Sequence, residues 1–569
     1  MTTSEDAQAA AEAAAKAADE AEQAAEAARE RAEELAEAAE EAEEDESEGE
    51  APEESAATTS IVDIVTKGYA IEGPALEIGA LVDNGAAVPE AQVRIPLAML
   101  NRHGLVAGAT GTGKTKTLQV LAEQISTHGV PVFAADIKGD LSGIATPGQS
   151  SDKLLERTTS IGQDWQPAAT PAEYFTLGGL GVGVPVRASI ESFGPILLAK
   201  VLGLNETQES SLGLVFHYAK EAKLPLVDVG DLRSVLTHLT GTGKPELKKL
   251  GGLSSATVGV ILRELIAFAD QGADVFFGRP EIKTSDFLRT TSEGKGIVAL
   301  LEVPSVQDKP ALFSTFLMYL LTQIFRELPE VGDVEKPKLV FFFDEARLLF
   351  DDASDAFLDL VAQTVRLVRS KGVGVFFVTQ TPKDLPAEVL EQLGSRIQHQ
   401  LRAHTPDAAK ALRATVSTYP NSSYDLEEVL TQLAIGEAIV TVMNEKGAPS
   451  PVAWTRVRAP QGSMDPTPAA SIATAVQASP LLAQYGTAEN PKSATELLEE
   501  KDAAAREAAD EAARQKAEAD QSWDERIKRS TRRTRNSGYR RQSPLEKAAG
   551  EAARTAAREI IRSIFSRRR

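Results

Sequence analysis

The feature that most constrains this chain is the eight-residue stretch GATGTGKT. It follows an apolar run, HGLVAG, and opens a helical pattern, KTLQVLAEQ, so it lies between a buried strand and a helix. It matches the spacing G-x-x-x-x-G-K-[ST], in which backbone N–H groups and a helix N-terminus surround a phosphate. The sequence therefore predicts a nucleotide-binding loop made of Gly108, Ala109, Thr110, Gly111, Thr112, Gly113, Lys114 and Thr115.

In such a loop each residue type has a defined task. The Lys114 ammonium is expected to reach the β- and γ-phosphates, and the Thr115 hydroxyl to bind Mg²⁺. The letters TGTGK recur at 240–244, but His238 stands where the first glycine is required and Pro245 replaces the metal-binding hydroxyl. This second copy is predicted to be a glycine-rich turn between helices.

Two carboxylates follow another apolar run, KLVFFF. Asp344 is expected to hold Mg²⁺ through its water shell, as a second carboxylate of such sites does. Glu345 is placed to take a proton from the attacking water. The alternative is that the two acids are buried structural partners of other residues.

A polar residue, Gln380, ends the apolar run VFFVTQ. A side chain at the carboxyl end of a parallel strand faces the ligand crevice, so Gln380 could sense the γ-phosphate or orient water. The alternative is a strand-end amide that caps the next turn.

Apolar runs alternating with helical patterns predict an α/β fold. The runs at 103–108, 130–136, 296–303, 338–345, 373–380 and 395–403 are expected to be buried strands of a mostly parallel sheet. The second and third runs are too far apart for one crossover, and 190–275 contains several helical patterns. We therefore expect a RecA-like P-loop core with an inserted helical subdomain and flexible charged tails.

The charge distribution marks the ends of the chain. The net charge is −23, yet residues 1–60 carry 21 acidic and 3 basic residues, whereas 521–569 carry 5 acidic and 15 basic ones. The predicted segments are an acidic helical or disordered arm (1–58), a short β-rich segment (59–100), and the ATPase core in two parts (101–189 and 276–460). The inserted helices (190–275) lie between these two parts. A Pro/Ala-rich and charged helical extension (461–521) and a basic tail with an amphipathic helix (522–569) follow the core.

GATGTGKT, FFFDEA and VTQ, in this order, resemble the HerA/FtsK superfamily of hexameric P-loop motor ATPases. The stretches FAADIKGDLSGIA, FFGRPEI and LGSRIQHQLRAHTPDAAKA resemble more closely the bacterial HerA-like ATPases. The resemblance covers about residues 60–500 and implies ATP with Mg²⁺, a homo-hexameric ring, and an arginine supplied by the neighbouring subunit. Arg396 matches the position of that arginine, with Arg402 as the second candidate; either could instead form a surface ion pair.

Several functions remain compatible with these residues. The first is an ATP-driven translocase or helicase acting on nucleic acid, with double-stranded DNA as the expected partner. The second is an ATPase that moves or remodels protein, and the third is a nucleotide-gated scaffold. The chain has no cysteine, hence no disulfide, and its longest apolar run, 311–325, is short for a membrane span. These features predict a cytoplasmic protein without an integral membrane segment.

The basic tail, in which an Arg-rich run covers 526–541, is expected to attach the protein to a polyanion. Nucleic acid, an anionic membrane surface and the chain's own acidic arm are the candidate partners, and solvated disorder is the alternative.

Overall fold

One twelve-stranded sheet organises the part of the chain that the structure, a computed structural model, describes: residues 60–249, 252–302, 310–332, 334–350 and 355–534. The acidic arm and the far end of the basic tail lie outside these residues. The strands are β1 Ala75–Asp83, β2 Ala86–Pro96, β3 Gly104–Ala107, β4 Val132–Asp136, β5 Ala172–Leu177, β6 Val184–Val186, β7 Val298–Glu302, β8 Leu339–Phe343, β9 Val373–Thr379, β10 Ser395–Gln398, β11 Glu437–Thr441 and β12 Ala453–Val457.

Helices cover the sheet and fill the long connections between its strands. They are α1 Ile61–Gly68, α2 Lys114–Thr127, α3 Asp152–Ser160, α4 Ile190–Phe193, α5 Pro195–Val201, α6 Glu206–Glu221, α7 Val229–Thr240, α8 Lys244–Lys249, α9 Ser255–Asp270, α10 Pro310–Glu327, α11 Asp355–Val368, α12 Ala387–Leu390, α13 Pro406–Val416, α14 Leu426–Gln432, α15 Ala469–Ala478, α16 Pro480–Tyr485 and α17 Ala494–Thr534.

The strand order is β2-β1-β12-β11-β10-β3-β9-β8-β4-β7-β5-β6. Every neighbouring pair from β10 to β6 is parallel, whereas the pairs from β2 to β10 are antiparallel. The mostly parallel sheet is confirmed, and all six apolar runs contain strands. The loop-bearing strand β3 is separated from β8 by β9 alone, which is the arrangement of a RecA-like P-loop core.

Both faces of the parallel strands are buried, which explains their continuous apolar sequences. Leu105, Phe133 and Phe341 belong to one core cluster, while the alternating residues Val106 and Val340 belong to the cluster on the other face. A strand that meets helices on both faces has no solvent side on which polar residues could alternate.

The helices between β6 and β7 pack into the same core cluster as one face of the sheet. This connection, 190–275, was predicted to be helical, and α4 to α9 confirm that. The apolar run at 311–325 lies within α10, where residues such as Phe316 and Ile324 are fully buried. Within the described residues, no helix has the length and apolarity needed to cross a membrane.

Candidate functional site

The loop GATGTGKT connects β3 to α2, as predicted. Its backbone is fixed from both sides, because Ala109 N donates to Gln400 O at 2.8 Å and Gly436 N donates to Thr112 O at 3.0 Å. Gly113 has φ 117°, a conformation that favours glycine. A Cβ at Gly108 would lie 2.5 Å from the Cβ of His399, so only glycine fits there.

Lys114 is the first residue of α2, and its side chain turns back over the loop. Its Nζ donates to Gly108 O at 2.7 Å and to Ala109 O at 3.1 Å. Partial burial lowers the pKa of this ammonium, whereas the nearby Asp344 and Glu345 carboxylates act in the opposite direction. The charged group is therefore held at the loop where a phosphate would compete for its hydrogen bonds.

Asp344 and Glu345 directly follow β8 at the same edge of the sheet. Asp344 is 8% exposed, and burial, together with the charge of Glu345, raises its pKa to about 6. Glu345 has φ 49° and ψ 48°, an uncommon backbone conformation for a residue with a side chain, and its N–H donates to Asp344 Oδ1 at 2.9 Å. Backbone strain of this kind is found at functional sites.

Lys138, two residues beyond β4, forms an ion pair with Glu345. The Lys138 side chain is 41% exposed and that of Glu345 17%. No motif in the sequence singles out Lys138. Because the pair is partly exposed, its opening would cost little, on the order of 1 kcal/mol or less.

Two further carboxylates, which were not predicted from the sequence, lie at the ends of the neighbouring strands β4 and β7. Asp136 and Glu302 are register partners on β4 and β7. Asp136 is 2% exposed and accepts a hydrogen bond from Leu141 N at 2.8 Å, while burial and the charge of Asp136 raise the pKa of Glu302 to about 7. Both residues carry the signal that led to Asp344, an acid at the end of an apolar strand.

Gln380 follows the last residue of β9 and is exposed. It lines a cleft of about 340 Å³ together with Thr110 of the loop and Arg402. In the following turn the Asp384 carboxylate accepts hydrogen bonds from Thr381 N at 3.1 Å and from Thr379 Oγ1 at 2.6 Å. Asp384 thus holds this turn, and Gln380 lines the cleft.

The two candidate arginines lie in different surroundings. Arg402 Nη2 donates to Thr110 O at 3.3 Å, within its own loop. Arg396, on β10, donates from Nη1 to Thr418 O at 3.2 Å and lies 5.9 Å from the ring centroid of Tyr419. The structure therefore brings Arg402, and not Arg396, to the phosphate loop of the same chain.

His399 lies under the loop and was not singled out from the sequence. It is fully buried, with Nε2 2.9 Å from Thr117 Oγ1 and Nδ1 2.8 Å from Glu437 O. Burial lowers its pKa to about 4, and the Lys114 charge acts in the same direction. The imidazole is therefore neutral and joins α2 to β11.

The second TGTGK copy forms no such site. Thr240 ends α7 and Lys244 begins α8, so the five residues make a helix–helix turn, as predicted. Its Thr242 hydroxyl donates to Asp502 Oδ1 of α17 at 3.1 Å.

The donor atoms at the loop fit Mg²⁺. The Thr115 hydroxyl and the Asp344 carboxylate are hard oxygen ligands. Burial disfavours the charged form of Asp344, and a cation beside it would stabilise that form. Among the described residues, no group of three or more His, Cys, Asp or Glu side chains could hold a metal alone. Mg²⁺ in nucleotide sites is typically bound by one or two protein ligands together with water and substrate phosphates.

Similarity to known proteins covers most of the chain. The family model described as "Helicase HerA-like C-terminal" matches residues 82–568. A probable helicase of Methanocaldococcus jannaschii is 24% identical over 364 residues, 60% of this chain and 64% of its own length. The DNA double-strand break repair helicase HerA of Saccharolobus solfataricus is 24% identical over 371 residues, 64% of this chain and 65% of its own length. The chain thus spans less than two thirds of both relatives.

Among solved structures, the bacterial conjugative coupling protein TrwBdeltaN70 aligns with a TM-score of 0.47 at 16% identity, covering 71% of this chain and 93% of that one. VirB4 of Thermoanaerobacter pseudethanolicus aligns with a TM-score of 0.44 at 14% identity, covering 68% and 98%. The family model, which extends over most of the sequence, decides the classification: this chain belongs to the helicase HerA-like C-terminal family.

Proposed function

We propose that this protein is an ATP-hydrolysing motor that acts on double-stranded DNA as a homo-hexameric ring. One observation carries the proposal. The phosphate loop after β3 and the Asp344–Glu345 pair after β8 lie at the same edge of the sheet, on either side of β9. A loop for phosphate beside a carboxylate pair is what hydrolysis of a nucleoside triphosphate requires.

In this proposal the chain binds ATP through the N–H groups of Gly108–Thr115 and through the Lys114 ammonium. Thr115 and Asp344 would hold Mg²⁺, which neutralises charge on the β- and γ-phosphates. Asp344, with a pKa of about 6, is largely ionised at neutral pH and can serve this purpose. Gln380, which follows β9 and lines the cleft beside Thr110, is placed to orient water or contact the terminal phosphate. Arg402 lines the same cleft and donates to Thr110 O of the loop.

Glu345 is the proposed general base. Its Oε1 accepts a hydrogen bond from Lys138, so this oxygen is not available to an attacking water while the pair is closed. Hydrolysis then requires that the pair opens or that water replaces Lys138. This distinguishes an ATP-binding state from a hydrolysing one, and a bound partner could favour the second.

The proposal of a ring is supported by the position of Arg396 relative to the loop. Arg396 faces Thr418 and Tyr419, away from its own loop, so it can act on a phosphate only if another subunit presents one. A trans arginine contributes about 10³–10⁵-fold in related phosphoryl transfers.

DNA as the substrate is supported by the two relatives, one a probable helicase and the other a DNA double-strand break repair helicase. The body of the chain is acidic, so a DNA contact would be confined to a small surface such as a pore. The alternative, movement of a protein, is favoured by α17, whose residues 503–526 are exposed and offer a long polar surface to a partner.

The test is the ATPase rate with double-stranded DNA, single-stranded DNA, RNA or unfolded protein added at moderate salt. We expect stimulation by double-stranded DNA, abolished in Lys114→Ala and retained in the matched variant Lys244→Ala of the second TGTGK copy. Stimulation by protein alone would replace the DNA proposal with the alternative. Undiminished hydrolysis by Lys114→Ala would refute the assignment of the loop.

A further inference from the structure

The orientation of a nucleotide in the loop follows from the strand order, an argument that rests on the proposed function. Asp344, Glu345 and Gln380, which would serve the terminal phosphate, follow β8 and β9 on one side of β3. On the other side of β3 lie β10 and then β11. If the terminal phosphate faces β8, the nucleoside end of the molecule points toward β10 and β11.

An exposed isoleucine lies at that position. Ile435 precedes β11 by two residues, and the adjacent Gly436 donates from its N–H to Thr112 O of the loop at 3.0 Å. The Cα of Gly436 is 3.3 Å from the point where a side chain on Gly113 would begin. Ile435 is 74% exposed, more than any other large apolar side chain among the described residues. A single exposed apolar side chain is ordinary on a protein surface, so what distinguishes Ile435 is its position, next to the residue that is bonded to the loop.

The segment that carries Ile435 is held in place. Gly436 O accepts a hydrogen bond from Arg157 Nη2 at 2.8 Å and another from Val457 N at 2.9 Å. Glu437 N donates to Ala434 O at 2.9 Å, which closes the turn around Ile435. Because the backbone is fixed before any ligand binds, little ordering cost would oppose a contact with the side chain.

We propose that Ile435 is the surface against which the base of the bound nucleotide rests. The flat face of a purine against a branched aliphatic side chain gains dispersion contacts and removes apolar area from water. Such a contact involves the face of the base and not its hydrogen-bonding edge. Ile435 therefore strengthens binding of adenine and guanine nucleotides alike, and contributes nothing to binding of the phosphates.

The test compares affinities with and without a base. Binding of a fluorescent ATP analogue to the full chain is measured with Mg²⁺ present, and ATP, GTP and inorganic tripolyphosphate are used as competitors. Ile435→Ser should weaken ATP and GTP by a similar factor, about 5- to 30-fold for the loss of one apolar contact. Tripolyphosphate should compete equally well in both proteins, and Ile435→Phe should retain the affinity for ATP.

The matched control is Ile196→Ser, which changes another exposed isoleucine, 57% accessible, in α5. It should leave all three affinities unchanged. Equal ATP affinity in wild type and Ile435→Ser would overturn the proposal, as would an equal loss for tripolyphosphate, which would indicate damage to the loop. A changed oligomeric mass of Ile435→Ser with unchanged nucleotide affinity would assign the residue to a subunit contact instead. If the wild type binds neither ATP nor tripolyphosphate, the proposed function itself fails.

Discussion

Replacing the buried His399 with leucine should destabilise the protein more at pH 7 than at pH 5. Leucine has a similar volume but cannot bond to Thr117 Oγ1 or to Glu437 O, the two partners of the imidazole. A buried polar group that loses its partner costs about 1–3 kcal/mol, so two of them predict a loss of about 2–6 kcal/mol in the free energy of unfolding at pH 7.

The pH dependence follows from the pKa of His399, which burial lowers to about 4. In the unfolded chain the pKa is about 6.5. As the pH falls from 6.5 toward 4, the unfolded chain binds a proton that the folded one does not, so the wild type loses stability, by about 2 kcal/mol at pH 5. The leucine variant lacks this group. The difference between the two proteins should therefore shrink by about 2 kcal/mol between pH 7 and pH 5.

The assay is urea unfolding at both pH values, followed by tryptophan fluorescence, since Trp454 donates to Glu437 Oε2 at 3.0 Å and reports on this region. Groups with raised pKa values, such as Glu302, act equally in both proteins and cancel in the difference. His404→Leu, at an exposed position, is the control and should show neither effect. A stability difference that stays constant from pH 7 to pH 5 would contradict a buried, neutral His399.

Three further predictions concern the proposed chemistry. Glu345→Gln should retain ATP affinity but lower turnover by about 10²–10⁴-fold, measured by equilibrium binding and phosphate release; normal turnover would move the base elsewhere. Lys138→Met should raise the ATPase rate without DNA and reduce its stimulation by DNA, whereas Lys138→Arg should behave as wild type; a lower basal rate would show that the pair assists Glu345. Arg396→Ala should bind ATP yet hydrolyse it poorly and regain activity when mixed with Lys114→Ala in mixed rings, whereas Arg402→Ala, whose arginine contacts its own loop, should not; the reverse result would assign the trans arginine to Arg402.

The parallel core could be predicted because its signals are local. A strand buried on both faces reads as a continuous apolar run, and the loop and the Asp344–Glu345 pair follow directly on such runs. The same rule applied to Asp136 and Glu302 would have found them as well. The short strands β5 and β6 were not predicted, because their apolar runs stand beside the glycine-rich stretch 178–183 and resemble loop.

Other features depend on contacts between distant parts of the chain. His399 lies within a short polar stretch, QHQ, that has no distinguishing pattern, and its place under the loop results from the pairing of β10 with β3. The ion pair of Lys138 with Glu345 joins residues 207 positions apart. Spacing in the sequence cannot indicate such pairs, since they follow from strand order.

The last helix, α17, has a mechanical consequence. Its start is anchored where Ser493 Oγ and Thr495 N donate to the buried Asp231 of α7, at 2.5 and 3.0 Å. Asp502, further along α17, accepts a hydrogen bond from Thr242, so the helix is held as far as this residue. From there α17 continues without glycine or proline, and Arg526, where the Arg-rich run begins, stands about 36 Å beyond Asp502 at 1.5 Å per residue. A load attached at Arg526 would act on Asp502 and the helices that hold it with a lever arm of that length, so a weak pull at the tip would become a large torque at the core.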